Sequence, residues 1–239
     1  SYIGNVMPDT VKAIHVSMNN FVNNQSYIEN LKGINTVIVE AKNDEGSIFY
    51  DSNVCDEYLS DPDLAVGNTV VSKKELKKII KKYRKKGIYC VSRIVAFKDP
   101  VFAQENPKES LTDNHDNLVV YNNQYWPSAY SRKAWMYNVA IAQECADLGF
   151  NEIQFDYVRF PDGTATSEIN LDFHNTYKES KVAAVQGFLQ YAKEELSPKG
   201  VYVAADIFAW PIVACDDQDI GQFLPAIANV VDVVSPMPY

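Results

Sequence analysis

Along the chain, short stretches in which polar and apolar residues alternate with a period of two are separated by longer ones. In the longer ones apolar residues recur every three to four positions. The first kind predicts strands at 11–17, 36–41, 88–95, 152–158, 201–207 and 230–234. The second predicts helices. A weak one covers 26–32, and Ser72 caps a stronger one that Gly87 stops, with Leu76, Ile79, Ile80 and Tyr83 on one face. Ser131 caps another running to Leu148, with Trp135, Val139, Ala142 and Ala146 aligned and Gly149 as its stop. Two more are expected near 175–196 and 217–228, the latter turning Ile220, Phe223, Leu224 and Ile227 inward. The SIFY run after Asp44-Glu45-Gly46 extends the second strand as a hairpin.

Six strands alternating with helices make a parallel sheet with right-handed crossovers. An open doubly wound sheet and a closed barrel both have that pattern. No GxGxxG follows any strand, which removes the dinucleotide-binding form of the first. Glu152, Gln154 and Asp156 alternate with Ile153, Phe155 and Tyr157, so one strand face is polar. Helices on both faces of a sheet would require both to be apolar, whereas a barrel places one face in a partly polar lumen. The expected fold is therefore α/β, a (β/α)8 TIM-type barrel in a single domain. The chain reaches its sixth strand at SPMPY, so the barrel is expected to be truncated or incomplete after it.

Composition narrows the function. With 239 residues, 46% apolar and 22% charged, the chain can bury a large core. No apolar run approaches the ~18 residues a membrane span needs. The 22 basic and 31 acidic side chains leave −9, which argues against nucleic acid as partner. Nine of the basic residues lie between Lys73 and Lys86, so the remainder holds 13 basic against 30 acidic. That basic run reads as the solvated face of its helix. Cys55, Cys90, Cys145 and Cys215 form no CxxC pair, and His15, His115 and His174 form no HxH pair. No metal site or other cofactor is expected, and Cys90 and Cys145 read as buried thiols. Ser1 opens no basic or apolar leader, so any export signal is expected to be absent or already removed.

In barrels the chemistry sits at the C-terminal ends of the strands. Those ends offer Glu40 and Lys42, Arg93, Asp156, Asp206 and Ser235. Carboxylates at successive ends suit glycosidic bond cleavage, in which one acts as acid and one as nucleophile. Asp156 and Asp206 would stand on neighbouring strands ~4.8 Å apart, close to the ~5–5.5 Å separation of retaining glycosidases. Each also has a plain structural role open to it. Asp156 can pair with Arg93 or Arg159, Asp206 can cap, Glu40 can pair with Lys42 on its own face, and Glu152 and Gln154 can bond within the lumen. The long segment 96–130 ends in Tyr121, Tyr125, Trp126 and Tyr130, rings that suit either sugar stacking or a local hydrophobic cluster.

The strings EIQFDYVRFP (152–161), SRIVAFKD (92–99), VIVEAKNDEG (37–46), ADIFAW (205–210), DIGQ (219–222) and VSPMPY (234–239) resemble the putative glycoside hydrolase domain family of bacterial envelope and secreted proteins. The fold of that family is similar to the catalytic barrel of the alpha-amylase clan. The resemblance implies a carbohydrate-active hydrolase located outside the cell or in its envelope. It implies Asp156 as nucleophile or transition-state stabiliser, and Asp206, or Glu40, as proton donor. Arg93 and Arg159 would tune the pKa values, with Tyr125 and Trp126 as a stacking platform. Gln154 stands where the clan has an arginine, and Asp206 where it has a glutamate; the clan's third carboxylate would lie beyond residue 239. Two rivals remain: a non-catalytic glycan-binding barrel, and an isomerase or aldolase acting on a phosphorylated sugar.

Overall fold

The computed structural model describes residues 1–162, 172, 174–208 and 220–237. Ten strands are seen there: β1 Ala13–Val16, β2 Thr36–Lys42, β3 Ile48–Tyr50, β4 Val66–Val71, β5 Tyr89–Val95, β6 Val120–Tyr121, β7 Gln124–Tyr125, β8 Glu152–Asp156, β9 Tyr202–Phe208 and β10 Val233–Met237. Six of them, β1-β2-β5-β8-β9-β10, lie side by side in chain order, each parallel to the next. A doubly wound sheet would reverse its order at some point, and this one does not. Among the described residues β10 does not pair with β1, so the sheet curls without closing. The fold is thus mixed α/β with a parallel sheet.

The alternation seen in sequence sorts the two faces. Val37, Val39, Cys90, Ile94, Ile153, Phe155, Val203, Ala205 and Ile207 are buried beneath the helices, in one continuous core. The opposite face carries Ile38, Glu40, Val91, Arg93, Glu152, Gln154, Asp156, Ala204 and Asp206. The base of that lumen is filled by Tyr2 and Met7 packed on Tyr89, Val91 and Tyr202. Asn5 fixes this plug by donating to the carbonyls of Asn151 and Gly200, both at 2.8 Å, while its own carbonyl accepts from the Tyr202 hydroxyl at 2.9 Å. The sequence pattern gave no sign of this N-terminal plug.

The helices number α1 Met18–Asn23, α2 Gln25–Glu29, α3 Cys55–Tyr58, α4 Lys73–Lys85, α5 Pro100–Glu105, α6 Arg132–Asp147 and α7 Lys181–Leu196, followed by a short one at Leu224–Ala228. Ser72 and Ser131 cap α4 and α6 as expected, accepting from Glu75 N and Ala134 N. Gly87 and Gly149 end the same helices in the left-handed region (φ 80° and 104°). The helix expected near 175–196 starts later because Ser180 caps it. The one expected over 217–228 is seen only from Leu224, and Asp217 lies outside the described residues, as does Cys215. Cys55, Cys90 and Cys145 are buried free thiols. No helix among the described residues is long and apolar enough to cross a membrane.

One expectation about β2 is corrected. Glu40 and Lys42 do not share a face, because the register slips between them: Glu40 sits opposite Arg93, but Lys42 opposite Ile94. This bulge turns Lys42 into the helix layer, fully buried. There it pairs with Asp99 at 2.8 Å and donates to Val95 O and Asn138 Oδ1, both at 2.9 Å. Through this ion pair and two hydrogen bonds, Lys42 ties the end of β2 to the loop after β5 and takes no part in the lumen.

Candidate active site

Strand register brings the lumen-facing polar residues into rows. Glu40, Arg93, Gln154 and Ala204 lie side by side across β2, β5, β8 and β9, and Asp156 and Asp206 rise one step above at the ends of β8 and β9. A parallel sheet allows this because partners in register point to the same face.

Arg93 is the hub. Its Nε and Nη2 both donate to Asp156 Oδ2, at 3.1 and 2.5 Å, and its Nη1 donates to Glu40 Oε1 at 2.8 Å. Burial disfavours the guanidinium charge, but the Asp156 charge and hydrogen bonds together with Glu40 outweigh it, so the Arg93 pKa is raised. Asp156, almost wholly buried, accepts on its other oxygen from the N–H of Tyr157 at 2.7 Å. That bond needs Tyr157 in the left-handed region (φ 49°), a conformation costly for an aromatic residue. The strand ends there, two residues before the expected 158. Three N–H donors thus converge on the Asp156 carboxyl.

Asp206 is in the opposite condition. Burial first, with the nearby Asp156 carboxyl acting in the same direction, pushes its pKa up from the ordinary 3.8 to about 8. Arg93 and the Gln154 amide, which donates to Asp206 Oδ1 at 2.5 Å, oppose this only in part. Asp206 Oδ2 is buried and accepts from no donor among the described residues. Two neighbouring buried carboxyl groups cannot both ionise cheaply, so near neutral pH Asp206 keeps its proton. One floor lower, burial lifts Glu152 to about 7, against the hydrogen bond it accepts from the Tyr89 hydroxyl at 2.9 Å.

The sequence-derived candidates divide. Asp156, Asp206, Gln154, Arg93 and Glu40 form one connected network. Arg159 is buried but does not reach Asp156 in place of Arg93. Its guanidinium lies over the rings of Phe208, Trp126 and Tyr157, 5.2–5.4 Å from their centroids, and it donates to Phe160 O. Trp126 cannot serve as an open stacking platform. It is fully buried, its Nε1 donates to Tyr121 O, and Tyr121, Tyr157 and Arg159 pack around its ring. Tyr125, in the β6–β7 hairpin, is half-buried.

Two residues escaped sequence reasoning. His15 on β1 lines a cleft of about 420 Å³ with Ser17, Ile38, Glu40, Arg93 and Met237. Burial and the Arg93 charge lower its pKa, against Asp156 and Glu40, so the imidazole is neutral near pH 7. Lys98, after β5, pairs with Asp44 at 3.2 Å and lies 4.8 Å from the centre of the Tyr157 ring. Neither sits in a recognisable motif; only strand position marks them. Among the described residues no group of three or more His, Cys, Asp or Glu side chains is placed to hold a metal ion.

A row of lumenal carboxylates at the strand ends of a parallel α/β sheet points to glycan chemistry, and comparison with known families decides the point. The pattern of the family described as "Putative glycosyl hydrolase domain" matches residues 11–239. The chain belongs to this glycosyl hydrolase domain family. Among solved structures it is similar to a hypothetical protein from Ruminiclostridium thermocellum, at 29% identity and a TM-score of 0.67, over 81% of this chain and 96% of that one. It shares its fold with the glycoside hydrolase domain of PgaB (BpsB) from Bordetella bronchiseptica, at 12% identity and TM-score 0.62, over 95% and 74% of the two chains. It also shares it with the maltogenic alpha-amylase AmyB from Thermotoga neapolitana, at 14% identity and TM-score 0.58, covering 95% of this chain and 49% of the amylase. No curated protein matches the chain. Family membership supports a glycan-active hydrolase in general, and these neighbours support its fold.

Proposed function

We propose that this family member hydrolyses glycosidic bonds in a polysaccharide or envelope glycan through the Asp156–Asp206 pair. The fold is read as a (β/α)8-type barrel to which the described strands contribute six. One observation carries the proposal: two buried carboxyl groups on neighbouring strands, Asp156 held by Arg93 and the Tyr157 amide and Asp206 kept protonated by burial.

Substrate takes the place of Asp156 as acceptor of the Asp206 proton. Asp206 protonates the leaving glycosidic oxygen, while the Asp156 carboxylate attacks or stabilises the developing oxocarbenium carbon. Asp206, now a carboxylate, draws a proton from water as that water completes hydrolysis, and the original state returns. Carboxyls on neighbouring strands ~4.8 Å apart match the ~5–5.5 Å separation of retaining enzymes better than the wider gap of inverting ones, so the proposal specifies retention of configuration. Arg93 orients Asp156, and Gln154 orients Asp206. Glu40, ion-paired and half-exposed, stands on the far side of Arg93 and serves as a hydroxyl acceptor in the cleft, with neutral His15 beside it.

The test is a panel of aryl glycosides and cell-wall polysaccharides assayed with wild type, Asp156→Asn and Asp206→Asn. Both variants are expected to lose about 10²–10⁴-fold in kcat with KM little changed, the range typical of a removed acid or base. Equal turnover by wild type and both variants would remove the pair as the catalytic groups, and no turnover by wild type would favour the glycan-binding rival.

A further inference from the structure

Helix α4 carries a charge arrangement that the lumen chemistry does not use. Leu76, Ile79, Ile80 and Tyr83 are buried against the core, and the other faces hold eight lysines counting Lys86, with Arg84. Lys73 pairs with Glu144, Lys82 and Lys86 with Glu29, and Arg84 donates to the carbonyls of Gly149 and Gly4. Lys74, Lys77, Lys78, Lys81 and Lys85 are exposed and make no ion pair among the described residues. Lys77, Lys81 and Lys85 fall at i, i+4 and i+8, so their amines line up about 6 Å apart along one stripe. Like charges at that spacing destabilise a helix by about 0.2–0.5 kcal/mol per pair. A face needing only solvation would interleave glutamates, and this one has Glu75 alone.

That stripe forms one wall of a trough. Two clefts of about 420 and 330 Å³ adjoin, sharing Lys77 and Leu148, and run between α4 and the end of α6. Glu144 and Asp147 stand on the opposite wall. We infer that this trough binds a linear, phosphate-bearing polyol or sugar chain, with Lys77, Lys81 and Lys85 each meeting one phosphate.

Three features favour that occupant. The stripe presents evenly spaced cations in a chain that is otherwise strongly acidic, which is complementarity to an anion of matching repeat. The opposing carboxylates penalise a wide polyanion such as duplex DNA, which would press its phosphates on both walls. All four apolar residues of the helix point inward, leaving nothing to insert into a lipid surface.

The test measures binding without turnover, so it stands or falls separately from the proposed hydrolysis. Poly(glycerol phosphate) is titrated into the whole protein at 50 and 200 mM salt, beside duplex DNA and vesicles containing phosphatidylglycerol. Wild type is expected to bind the polymer most tightly and to weaken roughly 10–20-fold between the two salts, as about three released counterions require. K77Q/K81Q/K85Q, which keeps good helix formers, is expected to lose at least tenfold in affinity at 50 mM salt with an unchanged circular dichroism spectrum. K12Q/K32Q/K108Q, with the same charge change elsewhere on the surface, is expected to bind as wild type does. No polymer binding by wild type at 50 mM salt, equal loss in both triple variants, or tighter binding of DNA or vesicles would overturn the inference.

Discussion

Asp206 shows how much a single side chain's surroundings decide. The sequence places it at the end of a strand beside Asp156, and this much could be read from Val203-Ala204-Ala205 and the neighbouring FDYVRFP string. Its protonation could not be read, since that depends on burial and on contact across strands. Because the folded pKa is about 8 against an ordinary 3.8, the folded state holds a proton that the unfolded state has lost between those limits. The stability linked to that proton is complete below about pH 4 and fades as pH rises to 8. Asp206→Asn, neutral throughout, is therefore expected to exceed wild type by about 2–5 kcal/mol in urea unfolding at pH 8 and to match it near pH 4, each pKa unit being worth ~1.36 kcal/mol. Arg93 makes the converse case. Arg93→Met leaves Asp156 buried without its cation and is expected to cost about 3 kcal/mol at pH 7 by the same measurement, because breaking a buried pair strands a charge.

At the scale of elements, local chemistry was legible where it is written in adjacent residues. Ser72, Ser131, Gly87 and Gly149 marked the ends of α4 and α6 because caps and left-handed stops use specific residue types. At Gly149 an added Cβ would come no closer than 3.5 Å to Ile80, so space is available and the backbone alone decides. Gly149→Ala is expected to lower stability by about 1–2 kcal/mol, the cost of a left-handed residue with a Cβ, read as a shift in urea midpoint at constant slope. Elements that depend on distant partners were not legible. β4 exposes Val66 and Val70 and exists by pairing with β3, so no apolar face announced it. The bulge after Glu40 likewise has no sequence mark, and it reversed the expected place of Lys42.

For the whole molecule, the strand order and the polar lumen followed from the alternation within 152–157, which only a lumen-facing sheet explains. The N-terminal plug at Asn5 and the convergence of His15 and Lys98 on the mouth did not follow, because they arise from curvature that brings distant segments together. Retention of anomeric configuration is the consequence at this scale. Proton NMR of the first product from a cleaved glycoside is expected to show the substrate's own anomer before mutarotation, and the opposite anomer would rule out catalysis by this closely spaced pair. The central claim is that burial keeps Asp206 protonated beside Asp156 at neutral pH, and infrared difference titration of the intact protein tests it most directly. Wild type minus Asp206→Asn should show a protonated carboxyl band at pH 7 that disappears with a midpoint near pH 8. A difference spectrum in which that carboxyl is already ionised below pH 5 would contradict the claim.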